Sequence, residues 1–231
     1  MNKLSYRYLF SIFEPIITYF LLNTLFIYVG HLFFDFHKDV ISLISMSVVC
    51  LVLCWKLYQN QYVSVFKKLS FYKMILLIIM TLSMVLCITY LTNIFQCHED
   101  VYPFSLISLL LIGFIGPINE EIVFRYFVLH RVHEKYNIAI SIFVSSFLFA
   151  MMHQGFMQMT LSFFVGVILG IVMMRYKNIG AVILMHCCLN ISPFIKGLSH
   201  LPTMIYSLAF VSLFCVFYIL YKNQGFMEKG E

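Results

Sequence analysis

The 231-residue chain is 62% hydrophobic and 18% aromatic, only 11% of it is charged, and it carries a net charge of +5. With a mean hydropathy of +0.93, it is excluded from the ordinary water-soluble domains, in which about a quarter of the residues are charged. A nucleic-acid partner is excluded too, because the basic residues form no patch with interleaved aromatics.

A hydrocarbon core about 30 Å thick takes roughly 20 apolar residues per crossing helix. The chain supplies eight apolar runs in succession: 10–34, 40–55, 74–95, 103–130, 138–153, 157–174, 179–195 and 204–221. These runs are continuous, whereas the strands of a membrane barrel alternate apolar and polar residues. The expected fold is therefore all-α, a polytopic membrane helix bundle of about eight transmembrane helices, forming one integral membrane domain over residues 1–231. The first run holds Glu14 and Pro15 and no small-residue cleavage site, so it reads as a retained span. Polar clusters at 35–39, 67–73, 96–100, 135–137, 175–178 and 196–200 separate the others, and the turn at 154–156 is the weakest boundary.

Cytoplasmic loops carry the excess of Lys and Arg. With these runs, one side receives Lys3, Arg7, Lys56, Lys67, Lys68, Lys73, Arg131, Lys135, Arg175, Lys177, Lys222 and Lys229, and the other only Lys38 and Lys196. Twelve against two places both termini in the cytoplasm and leaves Arg125 inside a span. The expected setting is the cell membrane, crossed several times, with lipid as the surrounding solvent.

Ionisable groups within a bilayer cost several kcal/mol unless paired or hydrated, so each one marks a functional hypothesis. The fourth run holds Glu120, Glu121 and Arg125. A spacing of four puts Glu121 and Arg125 on one helical face, acid before base, as an ion pair prefers. Glu120 lies about 100° round the helix, which leaves its carboxylate free for another partner. Upstream, Gly113, Gly116 and Pro117 predict a kink or break, because proline removes a backbone donor and clashes with the preceding turn. Broken helices at membrane depth line cavities, which would admit water to Glu120.

Two further polar sets interrupt apolar runs: Phe149 with His153 in the fifth, and His186 with Asn190 in the seventh. Counting about 1.5 Å per residue from the cytoplasmic ends sets Glu120 at roughly 15–18 Å, His186 at roughly 10–12 Å, Asn190 at roughly 16–18 Å and His153 at roughly 22–24 Å. All four can meet in one mid-membrane layer. A carboxylate and an imidazole together activate a water, and an amide or second imidazole holds the oxyanion of a tetrahedral intermediate. The set points to hydrolysis.

These residues stand as Glu120-Glu121-Ile-Val-Phe-Arg125, Phe149-Ala-Met-Met-His153 and His186-Cys-Cys-Leu-Asn190, in that order. In this the sequence resembles the CAAX protease and bacteriocin-processing (CPBP, or Abi) family of membrane peptidases, over about residues 103–195. The resemblance implies peptide-bond hydrolysis within the membrane, acting on a peptide or membrane-protein substrate. Bacterial members of the family are often linked to bacteriocin processing or self-immunity. It assigns Glu120 as the base, His153 as the residue that orients water, Glu121 and Arg125 as a supporting pair, and His186 and Asn190 as stabilisers of the intermediate.

No cofactor is favoured, and zinc held by Glu120, His153 and His186 is the alternative. Asn is a poor zinc ligand, pairing with Arg125 would withdraw Glu121, and no His-Glu-x-x-His helix is present. A non-enzymatic immunity protein and a proton-coupled transporter are the competing classes; paired broken helices in corresponding halves, expected of a transporter, are missing. Six of the seven cysteines, all but Cys97, lie in apolar segments and read as packing residues. Gly166 and Gly170 have the spacing that lets membrane helices approach closely, here within the chain. The Cys97-His98-Glu99-Asp100 cluster reads as a solvated loop, Glu14 as a hydrated interfacial residue, and His130 and His133 as interfacial anchors.

Overall fold

The structure, a computed structural model, describes residues 3–33, 38–60, 67–95, 105–195 and 197–222. The described residues form eight helices, α1 (Lys3–Phe33), α2 (Lys38–Asn60), α3 (Phe71–Ile94), α4 (Leu106–His133), α5 (Ile138–Ala150), α6 (Phe156–Tyr176), α7 (Ile179–Ile191) and α8 (Thr203–Lys222). Short 3₁₀ turns at Ser192–Phe194 and Leu198–His200 join the last two. No strand occurs among the described residues, and the fold is the expected all-α bundle. The Cys97–Asp100 cluster, the start of the fourth run at 103–104, and Lys196 and Lys229 of the charge count lie outside the described residues.

Helices α1, α2, α3, α4 and α6 are long and apolar enough to cross a membrane, and α5, α7 and α8 contain shorter apolar stretches. The chain is a multi-pass membrane protein. Its surface is rich in exposed Phe, Leu and Ile, while Asn119, Glu121, Arg125, Ser145 and His186 are buried. In a solvent of lipid tails that arrangement is favourable, because polar groups find partners only inside the bundle.

Helix ends follow local chemistry. Asn137 and Asn178 each accept a backbone N–H with the side-chain oxygen, at Ile140 and Ala181, and so start α5 and α7 as N-caps. Lys177 closes α6 in the left-handed region at φ 49°, with its N–H bonded to Met173. A branched or bulky residue would sit poorly there. Helix α5 ends at Ala150, three residues short of the expected limit, and the chain turns over 151–155 through Gly155 at φ 81°. His153 therefore sits in a turn and not on a helix, which corrects the helical count used for its depth.

The central element is α4, packed against α1, α2, α5, α6 and α7. Of the kink or break expected at Gly113–Pro117, the break does not occur: α4 remains helical from end to end, but it widens twice into π-helical turns, over Leu111–Ile115 and Ile122–Val128. Widened turns shift the hydrogen-bond register to the fifth residue and recur at functional sites. Gly116 N–H bonds to Leu111 and Leu129 N–H to Phe124 in this way. Side chains of other helices and of α4 itself attend the same turns: Asn190 Nδ2 donates to the Ile112 carbonyl at 2.9 Å, Ser145 Oγ to Phe124 at 2.7 Å, and His130 Nδ1 to Arg125 at 2.9 Å. A buried carbonyl left unpaired costs about 1–3 kcal/mol, so these bonds stabilise the widening. His130 is thus tied into the helix, beyond the anchoring expected of it.

Elsewhere, Glu14 of α1 pairs with Lys56 of α2 and accepts from Thr18, so it has partners where a merely hydrated position was expected. The Gly166/Gly170 stripe faces inward. A Cβ on Gly166 would lie 3.0 Å from Ser146 Cβ, 3.1 Å from its Cα and 3.3 Å from Arg125 Nη2, and one on Gly170 would lie 3.2 Å from Ile142. Helices α5 and α6 meet there at close range, which is the intramolecular packing read from the spacing. Gly166→Ala should lower thermal stability in detergent by about 1–3 kcal/mol through overpacking against a backbone that cannot retreat. An unchanged melting temperature accompanied by a changed oligomeric state would show that this face packs between molecules instead.

Candidate active site

Residues Glu120 and Glu121 stand side by side on α4 between its two widened turns, and their environments differ sharply. The Glu121 side chain is fully buried, whereas that of Glu120 is 22% exposed. Glu121 Oε1 lies 3.1 Å from Arg125 Nη1 and 2.7 Å from His186 Nδ1. A single carboxylate oxygen thus serves both a guanidinium and an imidazole. The Arg125 contact lies off the direction of a hydrogen bond, and the guanidinium nitrogens have no hydrogen-bonded partner among the described residues. Charge and the ring beneath it hold Arg125, whose Cζ lies 4.3 Å from the centroid of Phe149.

Its short contact to Glu121 fixes the orientation of His186. A carboxylate only accepts, so Nδ1 carries a hydrogen and donates it, and Nε2 points the other way. There it faces Glu120 Oε2 at 3.7 Å. That separation is too long for a direct hydrogen bond and wide enough for a water to contact both groups. The same logic applies to His153, whose Nδ1 donates to the Phe149 carbonyl at 3.1 Å and whose Nε2 remains the acceptor nitrogen of the neutral ring.

At the junction of these groups sits Phe149, itself 1% exposed. Its ring is 4.8 Å from His153, 5.6 Å from His186 and 5.5 Å from Phe124, edge to face in each case. Sequence reasoning gave Phe149 no physical task; here its ring packs against both imidazoles and lies beneath the guanidinium. Asn190 directs Nδ2 at the Ile112 carbonyl, a tie to α4 that the expected oxyanion role did not include. Asn119, next to Glu120, was also missed. It is fully buried and donates to the Met46 carbonyl of α2 at 3.1 Å, fastening the glutamate pair to a second helix. As a polar residue within an apolar run beside two acids, it carried a readable signal.

The six residues singled out in the sequence are therefore brought together in graded fashion. Glu120, Glu121, Arg125 and His186 form one charged cluster, His153 reaches it across Phe149, and Asn190 joins through the backbone of α4. Zinc would need three converging donors, and among the described residues no three His, Cys, Asp or Glu side chains are grouped closely enough to hold a metal ion. His186 Nδ1 is committed to Glu121, which leaves Glu120 and His186 Nε2 as a pair.

Fold and cluster together define a polytopic helical membrane protein with acid, imidazole and guanidinium groups enclosed at its centre. Residues 102–192, a segment that contains all six residues, match the family model described as type II CAAX prenyl endopeptidase Rce1-like. The family is one of proteases. No curated protein and no solved structure matches the chain.

Removing the arginine tests the supporting pair. Breaking a buried ion pair from one side leaves an uncompensated charge at a cost of about 3–5 kcal/mol, so Arg125→Ala should accumulate poorly and melt early in detergent. Wild-type thermal stability in that variant would contradict the pairing.

Proposed function

We propose that the protein is an intramembrane endopeptidase of the cell membrane, with both termini cytoplasmic, that hydrolyses a peptide bond with a water activated by Glu120. The observation that carries this reading is the division of labour between adjacent carboxylates. Glu121 is consumed by Arg125 and His186, while Glu120 remains partly exposed and faces an imidazole nitrogen at 3.7 Å.

Charge balance supplies the next step. Two carboxylates and one guanidinium leave one negative charge, and a proton shared by Glu120 and His186 neutralises the buried set. With that proton on His186 Nε2, Glu120 is the general base and the imidazolium is the donor for the oxyanion. Water loses a proton to Glu120 and attacks the carbonyl carbon; the C–N bond then breaks as Glu120 returns the proton to the leaving amine. Glu121 keeps His186 in the required orientation, as carboxylates do for catalytic histidines. His153, with Nε2 free to accept, orients the water. Asn190 belongs to the site through its bond to α4. No step is routed through a metal.

The substrate is a peptide or membrane protein whose scissile bond reaches the bilayer interior. The family description makes peptides ending in a CAAX sequence the first probes, and the resemblance favours bacteriocin processing or self-immunity as the biological setting. Purified protein in liposomes should cleave a fluorogenic CAAX peptide, tested with and without a prenyl group. Glu120→Gln, nearly isosteric, should abolish turnover at unchanged thermal stability. Exhaustive chelation should leave the wild type active. Full activity in Glu120→Gln would overturn the assignment, and activity switched off and on by removal and return of stoichiometric zinc would overturn the metal-free version.

A further inference from the structure

On the side of the bundle where α3 begins, α6 ends and α7 begins, bases and acids are unevenly matched. Two of the bases there are neutralised, Lys56 by Glu14 and Arg131 by Glu134. Lys67, Lys68, Lys73 and Lys177 are all exposed, and none of them forms an ion pair with a carboxylate among the described residues. Two contacts gather these four lysines at one edge. Asn178, whose side-chain oxygen caps α7, also donates from Nδ2 to the Lys67 carbonyl at 2.7 Å. Lys73 Nζ lies 5.9 Å from the ring centroid of Tyr176, the last residue of α6 and the neighbour of Lys177. The segment that leads into α3 is thus fastened to the turn between α6 and α7, and each brings its cations.

Nothing in the local backbone offsets this charge. Neither α3 nor α7 has an acid in its first turn, and Ser70 makes no side-chain cap to α3, so the positive ends of two helix dipoles add to the lysines. Directly below, α3 turns an apolar stripe outward, with Ile75, Ile78, Ile79 and Leu82 exposed at helical spacing. Phe71 and Tyr72, 77% and 56% exposed, stand between stripe and lysines, at the level where aromatic residues meet headgroups. We propose that this edge is a binding site for an anionic phospholipid, with Lys67, Lys68, Lys73 and Lys177 on the headgroup phosphate and an acyl chain along the α3 stripe. A free phosphate would satisfy the lysines and leave the stripe unused, which is why the lipid is the occupant assigned. Basic clusters at the ends of membrane helices recognise anionic lipids through this combination of charge and apolar surface.

Melting of the delipidated protein in an uncharged detergent gives the test. Phosphatidylglycerol, at a hundredfold excess over its dissociation constant, should raise the melting temperature by about 5 °C or more, and phosphatidylcholine with the same acyl chains should raise it far less. The difference should shrink in about 1 M salt, where charges are screened within about 3 Å. Lys67→Gln/Lys73→Gln should lose most of the phosphatidylglycerol shift while melting as the wild type does without lipid, because both side chains are exposed. Arg131→Gln/Lys135→Gln, which removes as much charge at the end of α4, should keep the shift. Equal losses in the two variants would reduce the site to diffuse surface charge and overturn the proposal. Equal shifts from the two lipids would overturn it as well. Inorganic phosphate at the same concentration should give no shift; one as large as that from phosphatidylglycerol would make a free anion the ligand and overturn the lipid assignment. If the lysine variant fails to accumulate, native mass spectrometry of the wild type with equimolar amounts of both lipids decides: preferential retention of phosphatidylglycerol supports the site, and equal retention overturns it. Every readout is taken without a peptide, so the outcome is independent of the peptidase reading.

Discussion

A guanidinium with no exposed surface, enclosed in a bundle that crosses a membrane, is the constraint from which the rest of this structure follows. Arg125 can be kept there only beside an acid, and Glu121 is that acid. Once committed, Glu121 also captures Nδ1 of His186 and so fixes the outward direction of Nε2. Phe149 lies beneath the guanidinium, which brings its own helix, and the turn after it that carries His153, against the same centre. Glycine at 166 leaves room there, since a Cβ would press on Ser146 and on Arg125 Nη2. The ion pair is costly in isolation, and its worth lies in specifying how α4, α5, α6 and α7 meet.

The second constraint is the shape of α4. Two widened turns flank the glutamate pair, and carbonyls in them are engaged by Asn190, Ser145 and His130. Distorted backbone at membrane depth is tolerated where the surrounding protein satisfies it. Here that satisfaction comes from α5, α7 and the end of α4 itself, so the same contacts that close the bundle also hold the reactive stretch of helix. Glu120, between the turns and partly open, is the acid to which the proposed chemistry is given, and the family match over residues 102–192 supports the class of that chemistry.

Much of this was legible in the sequence, for identifiable reasons. Apolar runs and polar breaks report helix number and approximate limits because lipid penalises unpaired backbone and charge so heavily. The pairing of Glu121 with Arg125 followed from a spacing of four. Its sharing with His186 did not, because 65 residues separate them and no local rule connects them. Around Pro117, where a kink or break was expected, the helix widens instead, and the Asn190 bond to Ile112 in that turn was not legible because 78 residues separate the two. His153 was placed on a helix that ends at Ala150, where an uninterrupted apolar run gave no sign of a turn before Gly155. Phe149 entered only as part of the motif with His153, with no physical task of its own, and Asn119 stood beside more conspicuous charges.

The claim on which the account turns is that two adjacent carboxylates differ in kind, one holding the fold and the other held in reserve for the reaction. Thermal unfolding of Glu120→Gln and Glu121→Gln in the same detergent separates them most directly. The account predicts a wild-type melting temperature for Glu120→Gln and a marked fall for Glu121→Gln, with turnover lost in both. Equal effects on stability, or a larger fall for Glu120→Gln, would contradict it.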